Sequence, residues 1–228
     1  MKFLNMDNPV IQALDKLFDL MILNLLMVLC CLPIVTVGAS VTAMHYVCLK
    51  MVRNEETYIF KMFFHSFKEN FVQSTILWVM MLVLVGAPLY VMVMERLSGV
   101  EINTVVFLLP TAALILIMLA LLMVFPLQAK FGNTILGTIV NSIKVGAAQF
   151  PRTVAILVLT VFPLVLPIYI PAVWPIVLLI GLTAPGYVAA LMYNKLFEKI
   201  EGQYEQEHPE ETIQNEDEHI FSDEQILK

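Results

Sequence analysis

The sequence predicts an all-α, polytopic membrane protein: about six transmembrane or membrane-embedded helices, with amphipathic interfacial helices between them. Three observations carry that expectation. The chain is 59% hydrophobic and 14% charged, whereas soluble domains are about 45–50% apolar and about 25% charged. Thr104 to Leu127 and Thr153 to Tyr193 run for 24 and 41 residues without a charge, and about 20 apolar residues suffice for one helical crossing. Twelve of the 13 Lys and Arg residues fall in segments that can share one side of a membrane, leaving Arg96 for the other. A closed β-barrel would need apolar and polar residues to alternate. The continuous Leu, Val, Ile and Met runs exclude that pattern.

The N-terminal stretch carries Lys2 before Asp7, and its first apolar run ends without a small-x-small cleavage site. It reads as a retained anchor instead of a signal peptide. Leu17 to Leu49 is too long for one span and short for two. Pro33 removes a backbone donor and Gly38 permits a turn, so the segment is either a helical hairpin or one span followed by a half-buried helix. Asp19 is expected near a helix N-terminus, and Asn24 deeper, bridging helices.

From Tyr58 to Phe71, Phe60, Phe63, Phe64, Phe67 and Phe71 recur at helical spacing, with Lys61, His65, Lys68 and Glu69 on the remaining surface. That pattern predicts an amphipathic interfacial helix. It feeds a span over Val72 to Met94, where Gly86 and Pro88 suggest a local kink. A polar loop, Glu95 to Asn103, precedes the span of Thr104 to Leu127. Gly132 to Gln149 is a weaker amphipathic segment, and two spans, Thr153 to Ile170 and Val173 to Tyr193, close the body around a Pro-rich turn. Phe64 to Lys68 resembles Val140 to Lys144, a faint internal repeat.

Charge then sets orientation. Six crossings place twelve basic residues on the cytoplasmic side with both termini, a better fit to the positive-inside rule than five. Residues 1–194 form the helical transmembrane domain. Residues 195–228 hold eleven acidic residues against three lysines and are expected to be a flexible cytoplasmic tail. Ile213, Ile220, Phe221, Ile226 and Leu227 are its apolar points.

No nucleotide-binding glycine loop, nucleophile elbow or metalloprotease helix is present. The expectation is therefore a non-enzymatic protein with no cofactor, no metal and no nucleic-acid partner. His45, His65, His208 and His219 are scattered, and Cys30, Cys31 and Cys48 read as small buried hydrophobes. Polar groups in a bilayer are costly, which singles out Asn24, His45, Thr75 and Thr183 as candidates for an intramembrane polar site. Lys50, Arg53, Lys61, Lys68, Lys144 and Arg152 form a candidate cytoplasmic docking or lipid surface.

Several strings in order, Cys31 to Ser40 (CLPIVTVGAS), Thr42 to Tyr46, Phe67 to Phe71 (FKENF), Phe125 to Phe131 (FPLQAKF) and Phe150 to Thr153 (FPRT), resemble the YesL-like family of bacterial membrane proteins. The resemblance implies a bacterial inner-membrane protein with an accessory role in carbohydrate uptake beside a sugar ABC transporter, and it transfers no site residues. The alternative reading is a small secondary transporter or channel.

Overall fold

In the computed structural model, residues 9–55, 58–98, 122–131 and 134–207 are described. Among them the chain is helical, without a strand. The helices are α1 (Pro9–Cys30), α2 (Val37–Val52), α3 (Ile59–Glu69), α4 (Phe71–Leu97), α5 (Val124–Lys130), α6 (Ile135–Ala148), α7 (Phe150–Tyr169), α8 (Trp174–Ile180) and α9 (Thr183–Glu207). Most of the span expected over Thr104 to Leu127 lies outside the described residues, as do the polar-loop residues 99–103 and the tail beyond residue 207 with its apolar points, His208 and His219. The last part of that expected span is the separate helix α5.

Among the described residues, two stretches are long and apolar enough to cross a membrane, Ile34–Val52 and Phe150–Tyr169, and up to four are if each of two bent helix pairs counts as one span. Such helices are compatible with a membrane location. The first bent pair joins α3 to α4 at 69°, and the second joins the Pro171–Ile180 segment to α9 at 55°.

α2 is the centre of the fold. It packs against α1, α3, α4, α5 and α9, and its small residues Gly38, Ala39, Ser40 and Ala43 are all buried. Small side chains let helices approach closely. Around it, Leu23, Val47, Phe63, Ala189 and Phe197 are completely buried in one continuous core.

The Leu17 to Leu49 segment is a helical hairpin. α1 ends at Cys30, Pro33 stands in the connection, and a single 3-10 turn, Ile34–Thr36, leads into α2. Thr36 Oγ1 ties the connection together by donating to the Cys30 and Pro33 carbonyls at 2.5 and 2.8 Å. Gly38 does not make the turn. It lies inside α2 facing α4, where an added Cβ would stand 2.4 Å from the Ser74 carbonyl oxygen. Asp19 is also placed differently from expectation, because α1 begins at Pro9 and puts it mid-helix, away from any N-terminal dipole.

The amphipathic helix expected around residues 58–71 is α3, and one residue, Asn70, separates it from α4. Its aromatic residues divide between two faces: Phe63 is buried in the core, whereas Phe60 and Phe64 are exposed. α4 continues through Gly86 and Pro88 to Leu97. The expected single span from Val173 to Tyr193 is instead two helices, α8 and α9, broken at Gly181 and Leu182. α9 then runs without interruption through Lys195, and Phe197 lies in the core against Phe131 and Tyr193.

Candidate functional site

The helix break is held by one side chain. Asn24, on α1 and fully buried, donates from Nδ2 to the Leu178 carbonyl at 2.7 Å and accepts at Oδ1 from the backbone N–H groups of Leu182 and Thr183 at 3.1 and 3.2 Å. Helix ends leave such groups unpaired. Asn24 therefore caps the start of α9 and the end of α8 at once. Thr183 completes the joint by donating to the Leu20 carbonyl at 2.8 Å.

Of the four candidate polar residues, the structure thus unites Asn24 and Thr183. His45 sits further along α2, with Nδ1 3.0 Å from the Tyr193 hydroxyl on α9. Thr75 belongs elsewhere, on α4, and its enclosed Oγ1 makes no hydrogen bond among the described residues. Its neighbour Ser74 is the paired one, 2.9 Å from Thr42 Oγ1 at the α2–α4 crossing, while Trp78 donates to the Ile34 carbonyl at 2.8 Å.

A second polar centre was not anticipated from sequence. Gln128 on α5 is only 2% exposed. It donates to Gln73 at 2.7 Å and to Asn70 at 3.2 Å, and it accepts from Thr138 of α6 at 2.9 Å. Asn70 in turn donates to the Ser66 carbonyl at 3.1 Å. Four helical elements thereby meet at the α3–α4 elbow. The available signal was the pair of strings FKENF and FPLQAKF, whose amides, Asn70 and Gln128, face each other here.

Lys16 and Arg53 come together near the end of α2. Arg53 donates to Asn194 at 2.8 Å, Asn194 donates to Glu198 at 2.7 Å, and Lys16 donates to Asn54 at 3.1 Å. These contacts bring the end of α2 together with α1 and α9. Lys50 pairs with Glu55 and lies over the Tyr46 ring, Lys61 lies over Tyr58, and Arg152 donates to Gln149 at 2.8 Å. Lys68 and Lys144 are exposed. Cys30 and Cys31 are half-buried and Cys48 is buried, all as free thiols. Among the described residues, no group of three or more His, Cys, Asp or Glu side chains could hold a metal.

Residues 20–92 match a family described as "Protein of unknown function, DUF624". The match covers about a third of the chain, from the middle of α1 through most of α4. No curated protein and no solved structure matches the chain.

Proposed function

We propose that the chain is a non-enzymatic integral membrane protein of the YesL-like type that assists another membrane system, of which a sugar ABC importer is the favoured case, and that it works through its basic end. One observation carries this reading. The interior polar side chains Asn24, Thr42, Ser74, Gln128 and Thr183 are engaged in joining helices, whereas Lys68 and Lys144 stand exposed on the outside, which supports placing the binding chemistry on the basic surface. Crosslinking in native bacterial membranes followed by pull-down of the tagged chain is the test. Permease subunits of a sugar importer are the expected catch, and their loss on neutralising Lys50, Arg53, Lys144 and Arg152 would tie the contact to that surface. Recovery of no transporter subunit would overturn the reading.

The proposed orientation places both termini and the basic loops in the cytoplasm. Counting charges alone gives six crossings. The Trp78 contact to Ile34 favours a different count, because the α1–α2 connection reaches only the third turn of α4. Helix α4 continues beyond Trp78 for about 28 Å at 1.5 Å per residue. A hairpin that enters the membrane and returns puts the same loops on the same side as a pair of full crossings. In a chain with its native cysteines replaced by Ala, an impermeant maleimide applied to intact cells is expected to label Ser98→Cys and to leave both Asn5→Cys and Leu32→Cys unlabelled. Labelling of Leu32→Cys would restore six crossings. Labelling of Asn5→Cys would reverse the orientation of the N-terminus.

The second reading, a small secondary transporter or channel, draws on the break between α8 and α9, since interrupted helices form binding sites in many transporters. At this break three backbone groups, the Leu178 carbonyl and the Leu182 and Thr183 N–H groups, are already taken by Asn24. Solute flux into proteoliposomes containing the purified protein would favour the transporter.

A further inference from the structure

α3 and α6 are built on one plan. Aligned from their first residues, Ile59 with Ile135, they place a serine at the same position, and both serines, Ser66 and Ser142, are completely buried. Phe60 and Leu136 correspond and are 58% and 71% exposed, and Phe64 and Val140 correspond and are 40% and 47% exposed. Lys68 and Lys144 correspond and both are exposed. Each helix also ends one non-helical residue before a long apolar helix, at Asn70 and Gln149. The sequence similarity between Phe64–Lys68 and Val140–Lys144 is therefore a partial similarity of orientation too: the two serines face the core and Phe64, Val140 and the two lysines face out, while Phe67 is half-buried where Ile143 is exposed.

The outward face has a definite chemistry. At 100° per residue, Phe60 and Phe64 form an apolar stripe with Lys68 at its edge, and Leu136 and Val140 form the same stripe edged by Lys144. A stripe of this kind, apolar on one side and cationic on the other, suits the boundary between acyl chains and headgroups. On α3, Lys61 and Lys68 outnumber the one carboxylate, Glu69, which lies 3.5 Å from His65. α6 carries Lys144 and no acidic residue.

We infer that α3 and α6 are two copies of one surface unit that seats on anionic phospholipid headgroups, with Lys68 and Lys144 on the phosphates and the adjoining apolar stripes among the acyl chains. This rests on the membrane reading above. The occupant is anionic lipid of the surrounding leaflet because the two features repeated at corresponding places, exposed apolar area and a lysine at its edge, match the two parts of that lipid.

The test is phospholipid retention by the purified full-length chain, titrated with phosphatidylglycerol or phosphatidylcholine and read by native mass spectrometry. The wild-type chain is expected to retain phosphatidylglycerol preferentially. At about 1 kcal/mol per lysine, the combined substitution Lys68→Gln with Lys144→Gln weakens that retention by about fivefold per lysine. Lys195→Gln with Lys199→Gln, on α9, leaves it unchanged. Raising salt from about 50 to about 500 mM reduces wild-type retention, since exposed charges are screened. This second measurement needs no variant to fold. Equal retention of the two lipids, or phosphatidylglycerol binding unaffected by both salt and the double substitution, overturns the inference. A chain released from membranes by alkaline carbonate instead overturns the membrane reading beneath it.

Discussion

Asn24→Leu is expected to lower stability by about 2–4 kcal/mol, a large effect for a substitution that keeps the number and branching of side-chain heavy atoms. The leucine removes three hydrogen bonds and leaves the Leu178 carbonyl and the Leu182 and Thr183 N–H groups at an interior break. Stranding a buried polar group costs about 1–3 kcal/mol, while interhelical bonds in membranes average about 0.6 kcal/mol each because alternative partners exist. The expected total lies between those two ways of counting. Thr183→Val, which loses only the bond to the Leu20 carbonyl, should cost about 1 kcal/mol. The measurement is the unfolding midpoint in mild detergent. If Asn24→Leu unfolds with the wild-type midpoint, the side chain does not hold the break.

Gly38→Ala is expected to destabilise by about 2–3 kcal/mol, toward the upper end of the range for overpacked sites. The new methyl would stand 2.4 Å from the Ser74 carbonyl oxygen and 2.7 Å from Trp78 Cβ. Neither is the tip of a flexible side chain, so α2 and α4 must separate. Separation also strains the Thr42–Ser74 and Trp78–Ile34 hydrogen bonds. Gly86→Ala is the contrasting case: among the described residues no neighbouring atom lies within 4 Å of its added Cβ, and alanine in a helix interior is favoured over glycine by about 0.5–1 kcal/mol. Thermal unfolding should lower the midpoint for the first variant and hold or raise it for the second. Equal midpoints for Gly38→Ala and wild type would show that the two helices are not in close contact.

Long helical elements were legible because uninterrupted apolar runs and aromatic periodicity are properties of single segments. α3, the elbow into α4 and α7 all follow from such patterns, and Pro33 marked the hairpin connection correctly. Gly38 was misread because a glycine that permits a turn and one that admits a neighbouring helix look identical until the neighbour is known. The break at Gly181 was hidden by the length of the apolar stretch, although Gly181, Thr183 and Pro185 carry turn and capping chemistry in a row. Gln128 was passed over for a related reason. A single amide near a helix end has no intrinsic signature, and its importance lies in Asn70, Gln73 and Thr138, brought to it by three other elements. Asn24 could be read as a bridge from its depth, but its partners, being backbone groups of a distant break, left no trace in side-chain identity.

α6 is three residues longer than α3, 14 against 11. Three residues advance a helix by about 4.5 Å and turn it through about 300°. Helices that match at their first residues therefore finish about 60° out of phase, so the long helices that follow them, α4 and α7, start from different phases. Their outer stripes can stay equivalent over the shared length while the helices beyond them start from different phases. The three extra residues act as a symmetry breaker, confining likeness to the first turns of the two helices.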